Sequence, residues 1–139
     1  MLFDFVKQDD IDQKATAQNV RNFFYRDVEN IMEFTGFDVQ SVRFDSQPSG
    51  SNLNGVESQM VHGMDILKEL RAVLDTIYSL DTKSRDIMIM RFLQHRQTKM
   101  IAIRLGYSYS RYKDLQRKAL VKFAINYYLK TNRQLVIYK

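Results

Sequence analysis

Residues 97–116 constrain the fold of this chain more than any other part of its sequence. Within them, Ala102 is followed four residues later by Gly106 and six residues later by Ser108. This spacing is typical of two short helices that cross steeply over a tight turn, because the crossing needs a small residue and the turn needs a backbone with φ > 0. Ser108 is well placed to cap the second helix. The stretch therefore predicts a helix-turn-helix.

Apolar side chains occupy the positions at which two such helices would face each other. Ile101 and Leu105 lie on the first predicted helix, and Tyr112 and Leu115 lie on the second. The same spacing also fits an ordinary helix pair joined by a glycine turn. The exposed positions of the second helix carry side chains that form hydrogen bonds, which favours a helix-turn-helix with a binding face.

Hydrophobic periodicity predicts helices over most of the remaining chain, and therefore an all-α fold. We expect Asp81, Thr98 and Ser108 to act as N-caps and Gly36 to end the first helix. The predicted helices cover residues 12–34, 56–80, 81–94, 98–105 and 108–129. The C-terminal residues 131–139 fit a strand, a docked extension or a frayed end.

Turn-forming residues divide the chain into two helical parts. Residues 37–58 contain the one proline of the sequence and two of its five glycines, which is typical of a linker or a long flexible loop. We therefore predict an N-terminal helical segment at 1–36, a linker or loop at 37–58 and a domain with the helix-turn-helix at 59–139.

The charge of the chain is distributed unevenly between its two halves. Residues 1–81 contain 7 basic and 14 acidic residues, for a net charge of −7, whereas residues 82–139 contain 14 basic and 2 acidic residues, for a net charge of +12. A basic half is what a surface that binds a polyanion requires, because neutralised phosphates release counterions. The alternative is a solvated basic face without a partner.

The second helix of the motif supplies the residues predicted to read DNA, because an α-helix fits the major groove and its first residues reach base edges. The candidates for base contacts are Tyr109, Ser110, Arg111, Lys113, Asp114 and Arg117. The candidates for phosphate contacts are Arg96, Thr98, Lys99, Arg104, Ser108 and Lys118. Two of the candidates for base contacts also fit a second role. Arg117 lies far enough along the helix to bind a phosphate, and Asp114 lies four residues before Lys118, where it fits an intrahelical ion pair.

Composition argues against several other classes of site. The chain has no cysteine, so disulfides and thiolate metal sites are excluded. We find no phosphate-cradling glycine loop and no Ser/His/Asp grouping, and we therefore expect neither a metal, a cofactor nor enzyme activity. No apolar run approaches the ~20 residues of a membrane span, and the first residues do not resemble a signal peptide. We expect a cytoplasmic protein without a membrane partner.

Residues 85–124 resemble region 4 of bacterial sigma factors and the related phage regulators. The matching pieces are residues 84–92, the pair Ile101-Ala102, the run Leu105-Gly106-Tyr107-Ser108 and the run Lys118-Ala119-Leu120. The resemblance implies that the helices after the loop form a sigma region 4-like helix-turn-helix bundle.

Over residues 18–128 the chain resembles more narrowly the ArpU family of phage late transcriptional regulators from Gram-positive hosts. The loop at residues 42–51, the run at residues 105–112 and the pairs Ala119-Leu120 and Phe123-Ala124 are similar to that family. The resemblance implies activation of late packaging and lysis genes, double-stranded DNA as ligand and the host RNA polymerase as partner, in the bacterial cytoplasm.

The aromatic residues of the first helix leave two roles open. They either complete the core of the later helices or form a surface for a homodimer or for the polymerase. These residues are Phe23, Phe24, Tyr25 and Phe34.

Two other functions fit the same pattern. The first is a DNA-binding assembly component like the small subunit of a phage packaging motor, which would form rings. The second is an interaction module whose basic half binds an acidic protein. Oligomeric state separates the first alternative from a regulator, and the salt dependence of duplex binding separates the second.

Overall fold

The computed structural model describes residues 10–37, 44 and 63–139, and every element in these residues is helical. The predicted all-α class is therefore confirmed. The helices are α1 (Gln13–Phe23), α2 (Glu29–Thr35), α3 (Gly63–Ser79), α4 (Thr82–Met88), α5 (Thr98–Leu105) and α6 (Tyr109–Thr131). A π-helical turn, Phe24–Val28, joins α1 to α2, and a second, Ile89–Leu93, extends α4. None of the helices described is both long and apolar enough to cross a membrane.

The ends of the helices follow the predicted caps at three of four positions. Asp81 accepts a hydrogen bond from the Ser84 amide at the start of α4, and Ser108 accepts one from the Arg111 amide at the start of α6. Gly36 ends α2 in the left-handed conformation. Most of the predicted loop at 37–58, and the start of the predicted helix at 56–80, lie outside the described residues.

The fourth prediction, that Thr98 caps α5, is wrong. Gln97 is the N-cap, with an extended backbone at φ −68° and ψ 141°, and its side chain makes no capping hydrogen bond. The Gln97 carbonyl already accepts the first helical bond, from the amide of Ile101 at 3.1 Å. Thr98 is thus the first residue inside the helix, and its hydroxyl does not serve as the N-cap.

The hydrophobic core forms around α6, which packs against α1, α3, α4 and α5. Phe24 lies at its centre, with its ring centroid 5.3 Å from that of Phe92 and 5.0 Å from that of Phe123. Phe23 packs on Phe123 and Tyr127. Of the two roles left open for the first helix, the structure thus shows completion of the core for these two aromatic residues.

The C-terminal residues form a docked extension. Leu135 and Val136 are buried, and Ile11 and Tyr138 form an isolated antiparallel bridge. The Asp12 amide donates to the carbonyl of Ile137 at 2.8 Å. The extension therefore fixes the start of α1 against the rest of the molecule.

Candidate nucleic-acid interface

The turn between α5 and α6 has the backbone that the sequence predicts. Gly106 has φ +80° and ends α5, and the Tyr107 amide donates to the Ala102 carbonyl at 2.9 Å. Ala102 and Ile101 are almost fully buried where the two helices approach each other. The predicted left-handed glycine is confirmed, and it sets the direction in which α6 leaves the turn.

The inner face of α6 holds a buried polar pair. The Tyr112 hydroxyl donates to Oε1 of Gln116 at 2.7 Å, one turn further along the helix. Burial raises the pKa of Tyr112 to about 12, although the nearby charge of Arg91 opposes this shift. The hydroxyl therefore stays protonated, and able to donate, well above neutral pH.

All six predicted base-contacting residues lie along one open groove of about 880 Å³. We name it the α1–α6 groove, because its other wall belongs to α1. From α6 and its N-cap the groove is lined by Ser108, Tyr109, Ser110, Arg111, Lys113, Asp114 and Arg117. These side chains are exposed or half-buried, so an incoming ligand can reach every one of them.

Asp114 organises the cations of this surface. Its Oδ2 lies 3.3 Å from Nη1 of Arg111 and 3.4 Å from Nζ of Lys118, and its Oδ1 contacts Nη2 of Arg117. Desolvation raises the pKa of Asp114, but the hydrogen bonds and charges of Lys118 and Arg117 outweigh it and lower the pKa below its usual value. The ion pair between Asp114 and Lys118 that the spacing allows is therefore present.

Tyr109 connects the first residues of the two helices. The Thr98 hydroxyl donates to the Tyr109 hydroxyl over a long 3.5 Å, and Nζ of Lys99 and of Lys113 lie 5.9 and 5.4 Å from the centre of its ring. The Thr98 hydrogen bond lowers the pKa of Tyr109, against desolvation, and the charges of Lys113 and Lys99 add to this effect. Two predicted phosphate contacts, Thr98 and Lys99, thus lie beside the predicted base contacts.

Two other predicted phosphate contacts lie on a different surface. Arg96 and Arg104 line a second groove together with the exposed apolar side chains of Met100 and Ile103. The backbone of Arg96 is held in place, since its carbonyl accepts from Nη1 of Arg91 at 2.8 Å. The structure therefore groups Thr98, Lys99, Ser108 and Lys118 near the base-contacting residues, but places Arg96 and Arg104 apart from the α1–α6 groove.

The sequence pattern did not point to the other wall of the groove, which consists of Lys14, Ala17 and Arg21 of α1. One signal was present, because residues 14 and 21 are seven apart and so share a helix face. The net negative charge of residues 1–81 argued against a basic surface in this part of the chain, so this signal was not used. A local pair of cations matters more to a groove than the summed charge of the segment that carries it.

Within residues 10–37, 44 and 63–139, no group of three or more histidines and carboxylates is arranged to hold a metal ion. We compared the chain with protein-family models, curated proteins and solved structures, and none of the three comparisons found a match. The interpretation of the groove therefore depends on its geometry and on the sequence pattern.

Proposed function

We propose that the protein is a sequence-specific regulator of transcription that binds double-stranded DNA, with α5 and α6 as its helix-turn-helix. One observation carries the proposal: the exposed side chains of the first nine residues of α6 converge on one open basic groove, while the opposite face of the helix is buried. An α-helix fits the major groove of DNA, where each base pair presents a distinct pattern of donors and acceptors.

The residues divide into two roles in this proposal. The side chains of Tyr109, Ser110 and Arg111, in the first turn of α6, approach base edges, with Lys113, Asp114 and Arg117 on the next turns. Thr98, Lys99, Ser108 and Lys118 bind phosphates, which orients the protein on the duplex without reading its sequence. Arg96 and Arg104 lie apart from this groove, so they would bind a phosphate only if the duplex also passes the flank of α5.

The transcriptional part of the proposal comes from the resemblance of residues 85–124 to sigma region 4 and of residues 18–128 to the ArpU family. On that basis the chain activates late phage genes for packaging and lysis, together with the host RNA polymerase in the bacterial cytoplasm. The activity is binding rather than catalysis, and the ligand is the duplex.

Selection of bound fragments from random duplex DNA tests the first part of the proposal. We expect an enriched motif, and an affinity for it that falls with salt at a log–log slope of roughly −4.5 if ~5 phosphates are contacted. A Lys130→Ala variant, which removes an exposed charge at the far end of α6, should select the same motif as wild type. No enrichment together with a slope near zero would refute DNA reading.

Transcription in vitro with the host polymerase tests the second part. A template that carries the enriched motif upstream of a weak promoter should give more transcript when the protein is added, and a template with a scrambled motif should not. Equal transcription from both templates would contradict activation, even if the protein binds the motif.

A further inference from the structure

The wall of the α1–α6 groove that belongs to α1 is held rigidly beside α6. Ala17 is 1% exposed at the bottom of this wall, and Phe23, further along α1, packs on Phe123 and Tyr127 of α6. The docked C-terminal extension fixes the start of α1 through the Thr16 hydroxyl. This oxygen accepts a hydrogen bond from the Ile137 amide at 2.9 Å and donates one to the Ile137 carbonyl at 3.2 Å. Side chains on the outer edge of α1 therefore have a fixed place relative to the first turns of α6.

The groove is basic on both sides. Lys14 and Arg21 line it from α1, and Arg111, Lys113 and Arg117 line it from α6. Its one acidic lining residue, Asp114, is already surrounded by cations of α6. The groove therefore has an excess of positive charge in the absence of a ligand.

The two cations of α1 are available for an anionic ligand. Nη1 of Arg21 donates to Oε1 of Gln18 at 3.3 Å, which is a neutral partner. Among the residues that the structure describes, neither Lys14 nor Arg21 forms an ion pair with a carboxylate. Their seven-residue separation places them about 10.5 Å apart along the helix axis. Measured along the axis of a duplex, this equals about three base-pair rises of 3.4 Å.

We propose that α1 is a second DNA-contacting element, in which Lys14 and Arg21 bind the sugar–phosphate backbone that flanks the bases read by α6. This inference rests on the proposed function. It adds a phosphate-binding wall from the acidic half of the chain. The α1–α6 groove would then bind the backbone of one DNA strand. Contacts of this kind increase the affinity for every duplex and carry no sequence information.

The test compares a Lys14→Ala/Arg21→Ala variant with a control of equal charge, Arg26→Ala/Lys130→Ala, whose exposed side chains lie outside the groove. We expect the groove variant to lose about 1.8 from the magnitude of the salt slope, since each phosphate contact contributes about 0.9. Its affinity should fall by the same factor for the selected and for a random duplex. The control should keep the wild-type slope, and both variants should keep the wild-type circular dichroism.

Two further measurements make the result specific. Ethylation of backbone phosphates should interfere with wild-type binding at positions beyond the selected motif, and this interference should disappear in the groove variant. The charge-conserving variant Lys14→Arg/Arg21→Lys should keep both the slope and the interference pattern.

The two proposals fail in different ways. If wild type binds its motif and Arg111→Ala weakens that binding, but the groove variant behaves like its control, the role of α1 is wrong and the proposed function stands. If wild type shows no salt-dependent binding to any duplex, the proposed function is wrong, and the role of α1 falls with it.

Discussion

The buried pair of Tyr112 and Gln116 shows how a single polar contact supports the inner face of α6. Tyr112→Phe should lower the free energy of unfolding by about 1–3 kcal/mol, because it leaves Oε1 of Gln116 buried without its donor. The double variant Tyr112→Phe/Gln116→Leu should recover most of this loss, since both polar groups are then gone. Urea denaturation of the single and double variants measures the coupling. Additive losses would show that the hydrogen bond contributes nothing.

Asp114 is the residue at which the reading of bases and the attraction to phosphates are easiest to separate on the exposed face of α6. Asp114→Asn releases Arg111, Arg117 and Lys118 from their shared carboxylate. We therefore expect tighter binding to random duplex, a steeper salt slope and weaker discrimination between sequences. Asp65→Asn, at an exposed carboxylate of α3, is the control for the change in net charge.

Other outcomes for Asp114→Asn would change its assignment. If the variant loses affinity for the selected motif alone, the carboxylate accepts a hydrogen bond from a cytosine amino group. If both asparagine variants change binding equally, Asp114 has no special position in the groove, and the expectation above is wrong.

At the scale of elements, the turn after α5 depends on one backbone conformation. Gly106 and Gly36 both have positive φ, at +80° and +65°, and a Cβ on either would meet no atom within 4 Å. Substitution by alanine should therefore cost only backbone strain, roughly 1–2 kcal/mol at each site. Thermal denaturation should show similar losses for Gly106→Ala and Gly36→Ala, and only Gly106→Ala should also weaken duplex binding at equal folded fraction.

Asparagine refines this comparison, because it tolerates the left-handed region and already does so in this chain at Asn132, with φ +66°. Gly106→Asn should lose less stability than Gly106→Ala. Equal stability of wild type and Gly106→Ala would contradict the left-handed turn.

The caps and the glycine turn were predictable because each depends on one residue and its near neighbours. Asp81, Ser108 and Gly106 act as their residue types suggest. Thr98 did not, since a hydroxyl one residue inside a helix and a hydroxyl at its N-cap look alike in a sequence. The two π-helical turns left no local signal, because they insert a residue into an otherwise regular apolar stripe.

At the scale of the whole molecule, the N-terminal helix and the proposed DNA-reading helices share one core. Phe24→Ala should cost about 3–5 kcal/mol, because Phe24 packs on both Phe92 and Phe123. Unfolding should remain a single transition, with the same midpoint for backbone circular dichroism and for tyrosine fluorescence. Phe34→Ala, at a side chain that is 45% exposed, should cost far less.

Two separate transitions, or a small loss for Phe24→Ala, would instead favour an N-terminal segment that folds independently. The sequence could not decide this point. A loop signal at residues 37–58 is compatible with a tether between independent parts and with a connection across a shared core. The packing of α1 on α6, seen at Phe23 and Phe24, separates the two. The sequence could not predict the α1–α6 groove either, because its walls are about ninety residues apart in the chain and are brought together by packing alone.

In the proposed complex, the first residues of α6 read bases while the start of α5 binds phosphates. The most direct measurement determines the affinity of wild type, Arg111→Ala and Lys99→Ala for the selected duplex and for every single base-pair substitution in it. We expect Arg111→Ala to lose discrimination of about 1–3 kcal/mol at one or two adjacent base pairs. Lys99→Ala should weaken binding to all duplexes by one common factor and reduce the salt slope by about 0.9. A uniform loss in both variants, with the wild-type base preference unchanged, would contradict this division of roles between α6 and α5.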